Sequence, residues 1–73
     1  PDAAIFAAAS QALGIAAENI LHVGDDPWLD VQGAHNAGFQ SAWLNRTNAQ
    51  WPADILPAHH TIATLTDLTH LLA

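Results

Sequence analysis

Three carboxylates lie close together in the segment HVGDDPWLDVQGAHNAG, residues 22 to 38. They are Asp25, Asp26 and Asp30, called here the acidic cluster, and no Lys or Arg lies among them. Two carboxylates about 4 Å apart repel by roughly 1 kcal/mol in water and by roughly 4 kcal/mol at an effective dielectric constant near 20. The spacing therefore predicts either a bound cation or a separate structural task for some of these acids.

Helix capping accounts for part of the acidic cluster. Asp26 precedes Pro27, which is the preferred pairing of an N-cap acid with a proline at the first helical position. Asp30 falls in the first turn of the predicted helix, where the helix dipole favours negative charge. Asp25 has no such explanation, since it follows a predicted strand at the edge where open α/β sheets bind ligands. Oxygen ligands of this kind favour Mg²⁺, which takes one or two carboxylates and completes its shell with water and phosphate.

Hydrophobic periodicity and turn residues predict the elements that position the acidic cluster. Helices are predicted at residues 3 to 13, 27 to 37 and 65 to 72, strands at 20 to 23, 39 to 44 and 60 to 63, and a loop at 45 to 58. Asp2 is a candidate N-cap, and Gly14 and Gly38 are expected to end the first two helices in the left-handed conformation. Thr64 and Asp67 have the spacing of a capping box. The alternation of helix and strand indicates an α/β fold with parallel strands.

Composition excludes several classes of protein. The chain has 73 residues, of which 51% are hydrophobic and 11% charged, and it contains no cysteine. It is too apolar for a disordered segment, and no apolar run approaches the length of a membrane span. A net charge of −6 with Arg46 as the single base argues against a nucleic-acid partner. We expect a soluble protein with no membrane partner and, by default, a cytoplasmic location.

The segment ILHVGDDPWLDVQGAHNAGFQSAWLNR resembles the fourth motif and the following strand of the haloacid-dehalogenase-like (HAD) hydrolase superfamily. The matching positions are Gly24, Asp25, Asp30, Gly33, Ala34, Ala37 and Gly38. PDAAIFAAASQALGI is similar to the segment that follows the family's third motif. The resemblance covers about residues 1 to 46 and implies a partial Rossmann-like, three-layer α/β/α domain with a short parallel sheet.

The same resemblance implies a Mg²⁺-dependent phosphatase that acts on a small phosphorylated metabolite through an aspartyl-phosphate intermediate. By this resemblance Asp25 is a direct or near-direct metal ligand, and Asp30 binds a metal-bound water or orients neighbouring groups. The family's nucleophilic Asp pair, second-motif Ser or Thr and third-motif Lys are not found in the sequence. We therefore expect residues 1 to 73 to be a single C-terminal portion of a HAD-like core domain, without a catalytic residue and inactive by itself.

Two other classes of protein remain as alternatives. A receiver-like signalling module also gathers acids around Mg²⁺ at strand ends, but it would need a lysine, and this chain has none. A non-catalytic α/β interaction module would use the acids only to cap a helix. A parallel sheet of two or three strands is small, so we also expect self-association through exposed sheet edges.

The histidines, tryptophans and single arginine are predicted to have mainly structural roles. No pair of histidines has the spacing of metal ligands, although His22 is placed to hydrogen-bond the acidic loop. The tryptophans at positions 28, 43 and 51 are predicted to pack, and Trp28 could also face a substrate. Arg46 follows a strand end, where an ion pair with an acid is favoured over contact with a phosphate.

Overall fold

Three short parallel strands, joined by helical segments, form the fold of the computed structural model, which describes residues 3 to 72. The elements are helix α1 (Ala3–Leu13), a 3₁₀ turn (Ala17–Asn19), β1 (Leu21–Gly24), a π-helical segment (Pro27–Gln32), α2 (Gly33–Asn36), β2 (Gln40–Leu44), β3 (His60–Ile62) and α3 (Thr66–Leu72). The strand order is β1-β2-β3, and both pairings are parallel. The predicted α/β class is confirmed, whereas Asp2, the candidate N-cap, lies outside the described residues.

The register of the sheet brings the ends of β1 and β2 to the same edge. Gly24, the last residue of β1, pairs with Trp43, and Leu44 pairs with Ile62 of β3. In a parallel sheet the residues that follow neighbouring strands emerge side by side. Asp25 and the loop that follows β2 therefore lie at one edge.

The hydrophobic core is centred on β2. The buried apolar residues are Val31, Ala34, Phe39, Ala42, Trp43, Leu44, Ile55 and Ile62. Gly33 is buried as well. Helix α1 buries no residue completely, and Ile5 and Leu13 of its predicted apolar face are 73% and 61% exposed. Most of this face is therefore open to solvent.

Helix ends follow the signals in the sequence. Gly14 and Gly38 have φ angles of 67° and 81°, as predicted for residues that end helices in the left-handed region. The capping box is formed, because the Thr64 amide donates to Asp67 Oδ2 at 3.1 Å and the Asp67 amide donates to Thr64 Oγ1 at 3.3 Å. No helix within residues 3 to 72 combines the length and apolar character needed to cross a membrane.

The helix predicted at residues 27 to 37 begins with a π-helical segment. The Asp26 carbonyl accepts hydrogen bonds from the amides of both Asp30 and Val31, at 2.9 and 3.3 Å. The second bond spans five residues, so this turn is wider than an α-helical turn. The predicted helix is therefore confirmed in position, and its first half is π-helical.

The loop between β2 and β3 is fixed by tryptophan. Trp51 packs edge to face on Trp43, with ring centroids 4.8 Å apart, and its indole N–H donates to the Ile55 carbonyl at 2.8 Å. Because Trp43 is part of the core, this contact anchors the long loop to the sheet.

Candidate metal site

Asp25 has a free carboxylate at the end of β1. The residue is exposed, and within residues 3 to 72 its side chain forms no hydrogen bond. Its backbone carbonyl accepts a hydrogen bond from the indole Nε1–H of Trp43 at 2.9 Å. The backbone is thus held by the neighbouring strand, while the carboxylate is available to a cation.

Asp26 is the N-cap predicted from the sequence. Its Oδ1 atom accepts hydrogen bonds from the amides of Trp28 and Leu29, each at 2.9 Å. These two amides have no partner inside the helix, so the carboxylate satisfies them. This hydrogen bonding assigns Asp26 to the start of the helix.

Asp30 has both carboxylate oxygens engaged. Oδ1 accepts from His22 Nε2 at 3.0 Å, and Oδ2 accepts from the Asp26 amide at 3.0 Å. A Cβ atom built on Gly24 would collide with the Asp30 side chain. The carboxylate therefore occupies the space that only a glycine leaves open at the end of β1.

A cavity of about 290 Å³ lies beyond the ends of β1 and β2. Asp25 and Arg46 both line this strand-end cavity, together with Asn45, whose side-chain amide exchanges two hydrogen bonds with the backbone of Ala49 at 2.9 Å. The ion pair expected for Arg46 is not formed with any acid in the described part of the chain. The strand-end cavity thus combines a free carboxylate with a free guanidinium group.

The donors around Asp25 fit a hard cation that takes few protein ligands. Within residues 3 to 72, no group of three or more His, Asp or Glu side chains converges on one point. A complete all-protein site, as expected for Zn²⁺ or Ca²⁺, is therefore not formed by the described residues. Mg²⁺ requires only one or two carboxylates when water and phosphate supply the other oxygens. Asp25 can supply one of these carboxylates.

Two histidines that are distant in the sequence meet at the opposite end of β2. His35 Nε2 lies 2.7 Å from the hydroxyl of Ser41, and His59 Nδ1 accepts from the Ser41 amide at 3.0 Å. Burial, and secondly the charge of His59, lower the pKa of His35. This pair could not be predicted from the sequence, because spacing along the chain does not reveal residues that are brought together by the pairing of β2 with β3.

The parallel sheet and its helical connections place this chain in the α/β class, and the free Asp25 carboxylate lies at the end of a strand. The sequence matches the HAD-hydrolase-like family over residues 1–71, which is nearly the whole chain. The chain belongs to this family, as the motif resemblance predicted.

Comparisons with individual proteins agree with this assignment. The chain is 36% identical to the 5-amino-6-(5-phospho-D-ribitylamino)uracil phosphatase YigB of Escherichia coli, over 99% of this chain and 32% of that protein. A 2-haloacid dehalogenase from Pseudomonas syringae superposes with a TM-score of 0.90 and 38% identity, over 99% of this chain and 31% of its own. The putative HAD-hydrolase YfnB of Bacillus subtilis, described as bound to magnesium, superposes with a TM-score of 0.88 and 27% identity. The match covers 99% of this chain and 32% of that protein. The chain thus spans about a third of the length of these relatives.

Proposed function

We propose that this chain carries the metal-binding edge of a Mg²⁺-dependent HAD-like phosphohydrolase that acts on a small phosphorylated metabolite through an aspartyl-phosphate intermediate. The free Asp25 carboxylate at the end of β1 is the observation that carries the proposal. The E. coli relative is named as a phosphatase, which supports a phosphate ester as the substrate. Dehalogenase relatives are also found, but a free carboxylate beside a free guanidinium suits a metal ion and an anionic phosphoryl group better than a carbon–halogen bond.

The residues of this chain have distinct roles in the proposal. Bound Mg²⁺ would neutralise charge on a phosphoryl oxygen. Asp25 would hold the ion directly, and Asp30 would act through a metal-bound water or by orienting its neighbours. Arg46 lines the same cavity and would attract the phosphate dianion. Asp26 keeps its place as the helix cap and takes no part in binding.

Metal binding at Asp25 can be tested on the 73-residue chain. Trp28 is 45% exposed in the turn that follows the acidic loop, so its fluorescence should report Mg²⁺ binding nearby. We expect a saturable Mg²⁺ response that is lost in Asp25→Asn and kept in Asp54→Asn, which removes an equal charge from an exposed loop. The same response in all three proteins would contradict the proposal and favour a non-catalytic module.

Catalysis requires a nucleophile that the 73 residues do not supply. The family's nucleophilic Asp pair is not found in the sequence, so positioning of Mg²⁺ and phosphate alone cannot form the aspartyl-phosphate. We expect the purified chain with Mg²⁺ to hydrolyse p-nitrophenyl phosphate no faster than buffer does. Turnover that depends on Mg²⁺ and is lost in Asp25→Asn would contradict this expectation.

A further inference from the structure

The peptide unit that joins Asp25 to Asp26 is held at both ends. Its carbonyl oxygen accepts from Trp43 Nε1–H at 2.9 Å, and its N–H donates to Asp30 Oδ2 at 3.0 Å. Because a peptide unit is planar, two bonds on opposite sides restrain the rotation of the whole unit. That plane sets the direction in which the backbone of Asp25 presents its side chain. Trp43 and Asp30 therefore both act on Asp25 without touching its carboxylate.

Asp30 is itself held in place by residues of β1. A carboxylate only accepts hydrogen bonds, so the bond from His22 to Asp30 Oδ1 requires a proton on Nε2 of the imidazole. The His22 ring packs edge to face on Phe6, with centroids 5.0 Å apart. On its other side the Asp30 carboxylate fills the space above Gly24. An ion bound to Asp30 would compete with the donors that already use both of its oxygens.

We propose that His22 and Asp30 are positioning residues that hold the Asp25–Asp26 peptide in the orientation required for metal binding by Asp25, and that Asp30 is not a metal ligand. This inference rests on the proposed function only for the identity of what Asp25 binds. The hydrogen bonds from His22 to Asp30 and from Asp26 to Asp30 carry it. The alternative is that Asp30 ligates the ion. It predicts that removal of His22 raises the metal affinity, because the Asp30 carboxylate would then be free to bind.

Hydrogen exchange tests the positioning role without any metal. His22→Leu removes the donor, His22→Gln retains an N–H donor, and His70→Leu is the control at an exposed histidine of α3. We expect the Asp26 amide to exchange about tenfold faster or more in His22→Leu, as loss of one hydrogen bond to a charged group predicts, and His22→Gln to restore much of the protection. Exchange at Ala42, in the centre of the sheet, should change much less. Equal acceleration at Asp26 and Ala42 would mean that His22 only stabilises the fold and would overturn the inference.

Binding of Mn²⁺ to the same proteins tests the link to the metal. Mn²⁺ replaces Mg²⁺ at oxygen sites, and its paramagnetism broadens the NMR signals of nearby residues such as Asp25. We expect the affinity of Asp25 for Mn²⁺ to fall about tenfold in His22→Leu, the same factor as for hydrogen exchange. The affinity should recover in His22→Gln. Unchanged or tighter binding in His22→Leu would overturn the inference and favour Asp30 as a ligand. If the unmodified chain shows no broadening at Asp25, the proposed function fails, whereas hydrogen exchange still decides the role of His22.

Discussion

The imidazole rings of His35 and His59 lie edge to face, with centroids 4.9 Å apart and an interplanar angle of 73°. Ser41, which has no exposed surface, lies between them and contacts a ring nitrogen of each. Together with Ser41 of β2, the pair connects α2 to the end of the long loop that precedes β3. A positive charge on His59 lies close enough to disfavour a second positive charge on His35.

Stability should fall as His35 becomes protonated. Burial, and secondly the charge of His59, lower the pKa of His35 in the folded chain. The unfolded chain, with the ordinary histidine pKa of about 6.5, therefore binds the proton more readily. The contribution of neutral His35 to the free energy of unfolding is complete above about pH 6.5. It is lost as the pH falls from there to the pKa of His35 in the folded chain. Urea unfolding between about pH 8 and pH 5 measures it.

Two substitutions isolate the contribution of His35 to this pH dependence. His35→Asn should flatten the fall in stability below about pH 6.5, because no imidazole remains at that position to take up the proton. His70→Asn, at an exposed position of α3, should leave the profile of the unmodified chain unchanged. An unaltered slope in His35→Asn would contradict the assignment.

Removal of the Ser41 hydroxyl should destabilise the chain by about 1–3 kcal/mol, the range for a buried polar group left without its partner. The hydroxyl contacts His35 Nε2 at 2.7 Å and accepts from the His59 amide at 3.2 Å, and Ser41 itself is fully buried. Ser41→Ala can be compared with Ser10→Ala, which removes an exposed hydrogen bond to the Ile15 carbonyl. Equal free energies of unfolding for the two variants would argue against a buried network.

Substitution of Gly24 by alanine should destabilise the chain by about 1–3 kcal/mol, the usual cost of overpacking. The new methyl group would collide with the Asp30 side chain, which would have to leave His22 and the Asp26 amide. In the Asp30→Gly background the same change should cost much less, because the Cβ, Cγ and Oδ2 atoms of Asp30 that the new methyl group would meet are all absent. A double-mutant cycle by urea unfolding measures this coupling, and strictly additive effects would contradict it.

Self-association of the chain is expected at the outer edge of β1. Within residues 3 to 72, β1 pairs only with β2, and a cavity of about 620 Å³ beside it is lined by Ile5 and Leu29, which are 73% and 62% exposed. A second copy of the chain would cover this apolar surface and the unpaired strand edge. Sedimentation should show a mass that rises with concentration, reduced in Leu29→Glu but not in Leu56→Glu, an exposed leucine away from this edge. A constant monomer mass would contradict the prediction.

The short-range features of the fold could be predicted from the sequence. The cap at Asp26, the left-handed glycines at positions 14 and 38, and the box of Thr64 and Asp67 all depend on residues within a few positions of each other. Strand positions were correct to within about one residue for the same reason, since periodicity and turn residues are local signals. The π-helical turn was not predictable, because no simple pattern distinguishes it from an α-helical turn.

The amino-acid sequence alone determined the α/β class, the parallel strands, the family and the position of Asp25 at a strand end. Only the tertiary structure decided which partners surround that residue. The bonds from Trp43 to the Asp25 carbonyl and from His22 to Asp30, like the meeting of His35 with His59, join elements whose proximity depends on strand register and helix packing. The register is set by the burial of β2 between its neighbours. Because this burial depends on the whole chain, no local sequence pattern predicts the register.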